Sequence, residues 1–152
     1  MAIEDLTECS FCLICQGRSE AEVVFESADS VAFFPLNPAT LGHTLVVPRK
    51  HVRDLWALES DTAKSLMEST LRVAHGLRVA LKPQGLNLIN SSGSAASQTI
   101  FHLHMHLVPR WDGDRVGNIW PPKRPLAAAV REQLADEVRE GVEAAVRLHL
   151  PS

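Results

Sequence analysis

The chain has 152 residues, 45% of them hydrophobic and 22% charged, with 15 basic and 18 acidic side chains. That length suits one compact domain, able to bury about two-thirds of its unfolded surface without staples. No run of Lys and Arg exceeds the pair Arg49-Lys50. The balance therefore argues against a protein that grips nucleic acid through bulk basicity.

Residues 22–26 (EVVFE) and 31–34 (VAFF) are short β-rich runs divided by the turn signal SADS. PLNPATLG at 35–42 reads as a loop, and 43–48 resumes as a strand ending at Pro48. Asp54 to about Lys82 reads as helix with a break near Ser60, its apolar stripe being Leu66, Thr70, Val73, Leu77 and Leu81. Pro83 and Gly85 end it. LNLINS at 86–91 alternates like a strand, and TIFHLHMHLV at 99–108 alternates strictly, with Pro109 closing it. Leu126 to Leu148 forms a second long helix, with Leu126, Val130, Leu134, Val138, Val142 and Val146 stepping by four. The expectation is an α+β fold, with an antiparallel sheet of about five strands and two main helices.

Seven histidines and three cysteines stand out, and both types cluster. The cysteines all lie between Cys9 and Cys15, too few for a disulfide framework and suited to a reducing, cytoplasmic compartment. MAIEDLTE at the start carries acids and no base, so it does not read as a secretory signal. No apolar run approaches the roughly 18 residues of a membrane span. On the 99–108 strand, His102, His104 and His106 share one face, while Phe101, Leu103, Met105 and Leu107 share the other. Three imidazoles in a row suit either metal binding or nucleophilic catalysis. Adjacent rings, about 6.7 Å apart along a strand, do not converge easily on one ion. Cys9-Ser-Phe-Cys12 and Cys12-Leu-Ile-Cys15 are overlapping pairs, either of which could grip a zinc.

FHLHMHLVPR resembles the signature of the histidine triad (HIT) family. The resemblance extends to CSFC at 9–12, VVFESADSVAFF at 23–34, NPATLGHTLVVPRKH at 37–51 and SQTIFHLHMHLVPR at 97–110. IWPP at 119–122 looks like a segment of the branch that acts on nucleoside phosphoramidates. The resemblance implies a single HIT domain over 1–152, its motifs within about 9–122 and a C-terminal helix at about 126–149. It also implies the chemistry of a nucleotide hydrolase or nucleotidyl transferase at the α-phosphate of a phosphoramidate or dinucleoside polyphosphate.

In that reading His104 is the nucleophile and His106 contacts the phosphate oxygens. Gln98 and Thr99 lie at the α-phosphate and leaving group, with Ser91 and Ser97 beside them. His43 supports the phosphate site. Phe11, Ile14, Phe33, Phe34 and Leu36 sandwich base and ribose. Cys9, Cys12, His51 and His102 hold a structural zinc, as in many bacterial members. The resemblance further implies a homodimer, with helix 60–82 and the Trp120 segment as interface elements. Three positions depart from the family pattern: Pro35 replaces a ribose-binding Asp, Ser91 an Asn, and Ser97 a Gly. These departures motivate the alternative of a zinc-containing module that binds or senses a nucleotide with little turnover. A role on nucleic-acid ends is disfavoured by the acidic balance.

Overall fold

The structure, a computed structural model, describes residues 9–149, so the first eight residues read above for a signal lie outside it. Two compact units divide it after Gly117. The first holds a helix α1 (Ser10–Cys15), strands β1 (Val23–Glu26), β2 (Ser30–Phe33) and β3 (Thr44–Pro48), a helix α2 (Ser60–Leu81), and strands β4 (Gly85–Ile89) and β5 (Met105–Arg110). Its five strands form one antiparallel sheet in the order β1-β2-β3-β5-β4. In the second unit, an irregular segment leads into helix α3 (Ala128–His149). Among the described residues, no helix is long and apolar enough to cross a membrane.

Side-chain alternation builds two cores. Ala32, Val46, Met105 and Leu107 face α2 and pack with Leu66, Val73 and Leu77. Val31, Phe33, Leu45 and Val47 face the other way and pack with Phe11 of α1. Leu45 lies directly opposite His106 in the β3–β5 register, so the second face is the one that carries histidine chemistry. Burying a Leu as completely as Leu66 or Leu107 contributes about 2 kcal/mol.

The turns follow local chemistry. Ser27 Oγ accepts the backbone N–H of Asp29 at 3.3 Å and of Ser30 at 3.0 Å, closing the β1–β2 hairpin. Gly42 has φ +77°, a backbone that favours glycine, and a Cβ there would push the Leu81 side chain aside. The loop from Arg110 to Gly117 is a self-satisfied staple. Arg110 donates Nε and Nη2 to the Asp114 carboxylate at 2.6 and 3.0 Å, and Nη1 to Asn87 Oδ1 at 2.6 Å. Asp114 also accepts the N–H groups of Trp111, Val116 and Gly117. Its carboxyl is held well below the usual carboxylate range, first by Arg110 and then by these backbone donors.

Two expectations need correction. The alternating run 99–108 is not one strand: β5 begins at Met105, His102 lies at a bend and His104 just before the strand, with the Leu103 N–H between them donating to the Val52 carbonyl at 2.6 Å. Nor does Pro109 end the strand. It pairs with Leu86, and its carbonyl accepts from Thr40 Oγ1 at 2.7 Å on the side β3 has already left. The missing N–H therefore faces no ladder partner. Helix α2 begins at Ser60 as expected, but Lys82, with φ +48°, supplies its left-handed end.

Candidate functional site

Helix α1 is only six residues long, and its N-cap is a thiol: Cys9 Sγ accepts the Cys12 N–H at 3.4 Å. One turn of helix therefore places Cys9 and Cys12 side by side. His51 arrives from the loop after β3, and His102 from the chain leading into β5. Cys9 Sγ and Cys12 Sγ each lie 3.4 Å from His102 Nδ1, and Cys12 Sγ lies 3.3 Å from His51 Nδ1. All four ligand atoms fall within 4.8 Å of one another.

A tetrahedral zinc with Zn–S of about 2.3 Å and Zn–N of about 2.0–2.1 Å would separate sulfur from nitrogen by about 3.6 Å, so this donor set fits the ion. His102 is oriented for it, because Nε2–H donates to the Pro48 carbonyl at 2.8 Å and leaves the Nδ1 lone pair facing the sulfurs. Burial pushes His102 down to about 4, keeping the ring neutral and ligand-competent at neutral pH. Burial, then the neighbouring Cys9, pushes the Cys12 thiol up to about 12, a balance that a dication would reverse.

The next two histidines are oriented differently. His104 is buried, and its Nδ1–H donates to the carbonyl of His102 at 2.8 Å. Burial lowers its pKa below 6.5, partly offset by that bond. The neutral ring therefore carries a free lone pair on Nε2. His106 stands beside it, ring centroids 4.8 Å apart. His43 Nε2 lies 2.9 Å from His106 Nδ1, while His43 Nδ1 accepts the Ala39 N–H at 3.0 Å. Neutral His43 must then hold its proton on Nε2 and donate it to His106. Neutral His106 in turn presents Nε2–H. Burial, followed by His104 and His43, pushes His106 down to about 4, and burial lowers His43 as well. The site thus pairs a nucleophilic nitrogen with a hydrogen-bond donor one ring away. Phe11 closes it, packing edge-on to His104 at 5.3 Å, to His102 at 5.9 Å and to Phe33 at 5.2 Å.

The model of the HIT domain family matches residues 16–113 of this sequence. The chain belongs to the HIT family. The hit protein of Bacillus subtilis is 35% identical over 113 residues, 74% of this chain and 78% of that one. A Streptococcus mutans structure shares 35% identity, covers 93% of this chain and 87% of its own, and superposes with a TM-score of 0.85. A zinc-bound histidine triad family protein from Mycobacterium smegmatis shares 33% identity, with coverages of 86% and 98% and a TM-score of 0.69.

Within this HIT domain, the expected site residues separate into groups. His43, His104, His106, Phe11 and Phe33 come together as described. Ile14 packs against the Phe11–Phe33 cluster. Ser97 and Thr99 are exposed in the loop before His102, and Ser91 is half-buried at its start. Ser97 adopts φ +69°, a left-handed backbone that favours glycine. Gln98 turns inward instead: its amide accepts the Gly93 N–H at 2.7 Å and donates to the carbonyls of Arg53 and Ile100 at 2.9 and 3.2 Å, clamping the loop. Phe34 lines a groove of about 370 Å³ beside α2, on the opposite face from Phe33. Leu36 is 98% exposed. Asn90 escaped sequence reading, although its Nδ2 donates to the His104 carbonyl at 3.0 Å. The Asn next to Ser91 was the available signal.

Proposed function

We propose that this HIT protein hydrolyses or transfers nucleotides at the α-phosphate of a nucleoside phosphoramidate or dinucleoside polyphosphate, through a covalent nucleotidyl-His104 intermediate. The observation that carries this reading is the 2.8 Å bond from His104 Nδ1 to the His102 carbonyl, which leaves Nε2 as a lone pair beside the His106 donor. Nε2 attacks phosphorus and forms a P–N bond. The bond to the departing amine or phosphate breaks, and that group leaves with the electron pair, the amine taking a proton from solvent. His106 Nε2–H steadies the charge on the non-bridging oxygens. Water or another acceptor then attacks phosphorus and gives up a proton to solvent, the P–N bond breaks with its electron pair returning to Nε2, and the nucleoside monophosphate or nucleotidyl product is released.

Phe11, Ile14 and Phe33 form the apolar slot for the nucleoside that stays on His104. Thr99, Ser91 and Ser97 line the loop that faces the phosphates, while Gln98 holds that loop in shape. Pro35 offers the ribose no acceptor side chain, so recognition rests on the apolar slot and the phosphate. Cys9, Cys12, His51 and His102 would hold zinc, whose positive charge would bind α1 to the segments carrying His51 and His102. With four protein ligands the site is structural and leaves no place for water. The whole chain acts as one HIT domain in the reducing cytoplasm. It works as a homodimer: β4 is an edge strand with Leu86 and Leu88 exposed, and α2 exposes Met67 and Leu71. Single-helix α3 cannot bury its own apolar stripe either.

The test is cleavage of an AMP amidate or a diadenosine polyphosphate by the wild-type protein and by His104→Asn. Turnover that His104→Asn abolishes supports the reading. A nucleotide that stays bound for hours without turnover in the wild type would instead establish the sensing alternative.

A further inference from the structure

Cys9 and Cys12 are placed for a bond to each other as well as for a metal. Cys9 begins α1 as its N-cap, with an extended rather than helical backbone. Its side chain turns back over the first turn, where Sγ accepts the Cys12 N–H at 3.4 Å. The two sulfurs lie within the 4.8 Å that spans the whole ligand cluster. Cys9 is partly exposed and Cys12 is buried. Cys15 is placed differently. It lies inside α1 beyond Cys12, with Sγ 4.0 Å from the Pro48 carbonyl and outside the cluster. Cβ atoms three residues apart within a helix are about 5–6 Å from each other, whereas a disulfide needs about 3.5–4.5 Å. Cys9 escapes that limit, because a cap residue is not held in helical backbone. Between the two cysteines stands Phe11, whose ring packs edge-on to His104 at 5.3 Å. The cluster therefore holds the helix that walls the nucleotide slot.

The geometry points to a thiol–disulfide switch: a small-molecule disulfide such as oxidised glutathione joins Cys9 to Cys12, releases zinc and loosens Phe11 from His104. This rests on the zinc-holding role proposed for the cluster. The Cys9 thiolate attacks one sulfur of glutathione disulfide, whose S–S bond breaks. One glutathione leaves with the electron pair and takes a proton from solvent. The Cys12 thiolate then attacks the Cys9 sulfur, forming the new S–S bond and expelling the second glutathione in the same way. Two protein thiolates are oxidised, and one small disulfide is reduced to two thiols. His51 and His102 remain as the only ligands, too few to retain the dication. Excess thiol and zinc run the exchange backwards.

The test treats the full-length, zinc-loaded protein with excess glutathione disulfide while a chromogenic chelator reports zinc. Zinc should be released as the protein mass falls by two hydrogens, and peptide mapping should join Cys9 to Cys12. Cys15→Ser should respond as the wild type does. Calorimetric AMP affinity should weaken by up to about tenfold on oxidation, the scale of one lost aromatic contact, and return with dithiothreitol and zinc. Zinc retained under oxidation, a disulfide that includes Cys15, or unchanged AMP affinity would each overturn the switch. A reduced protein that takes up no zinc would remove the zinc site itself, and the switch with it. If the reduced zinc protein binds no AMP, the nucleotide reading has failed, and NMR of the His104 ring decides. Loss of its shielding by Phe11 on oxidation supports the switch; an unchanged ring environment overturns it.

Discussion

His43 donates from Nε2 to Nδ1 of His106 across 2.9 Å, and the Ala39 N–H on its other nitrogen fixes the direction of that bond. A backbone amide in the loop before β3 therefore decides which nitrogen of His106 carries its proton. Replacing His43 with Ala frees His106 to place its proton on either nitrogen. Turnover should fall by about tenfold or more. Nitrogen NMR of the imidazoles should show Nδ1 of His106 becoming partly protonated. An unchanged tautomer would contradict the relay.

The histidine site also sets an acid limit. Burial holds His106 at about 4 and His104 below its ordinary 6.5, so both rings are neutral at neutral pH. As pH falls below 6.5 the unfolded chain takes up protons before the folded one. Stability should therefore decline between about pH 6.5 and 4, then level off below the folded values. The acid limb of kcat should have its midpoint below 6.5, because His104 loses its lone pair only there. A midpoint above 6.5 would show that the ring is not held neutral.

The cysteine–histidine cluster ties α1 to the segments on either side of the β3–β5 pair. Cys12→Ser should abolish stoichiometric zinc, measured by metal analysis of the purified protein. It should also lower Tm by about 10 °C, the scale of losing about 3 kcal/mol in a chain of this length. His102 shares a second duty, since its carbonyl orients His104. Chelation should therefore depress stability first and turnover afterwards. Turnover lost before any change in Tm would assign the metal to the chemistry.

Ser97 holds a left-handed backbone at φ +69°, which costs a residue with a Cβ about 1–2 kcal/mol. Ser97→Gly removes that strain but restores glycine's freedom to the unfolded chain, worth about 0.5–1 kcal/mol. The net expectation is a gain of up to about 1.5 kcal/mol, read as a rise in Tm of a few degrees. A fall in Tm would mean that the serine side chain contributes more than its backbone costs.

The sheet, α2 and the histidine cluster are legible in sequence because each follows a local rule. Alternation marks the strands, a three-to-four spacing marks α2, and Ser27 marks its own turn. What escaped depends on distant partners. The 99–108 run alternates perfectly, yet β3 pairs with that run only at Met105–Leu107, and periodicity cannot show where a neighbouring strand stops. Helix α1 went unread because a cysteine caps it, and Cys9 is not a recognised capping side chain. Gln98 could not be told from a phosphate ligand until the loop closed around its amide. Phe34 sits next to Phe33 in sequence, but one residue along a strand is the opposite face of the sheet.

The most direct test of nucleophilic attack by His104 is rapid acid-free quenching of the wild-type protein with an AMP amidate, followed by peptide mass spectrometry. The account predicts an adenylyl group on His104, formed and lost at rates compatible with turnover, and absent from His104→Asn. Turnover with no adduct, an adduct on another residue, or full activity in His104→Asn would contradict it.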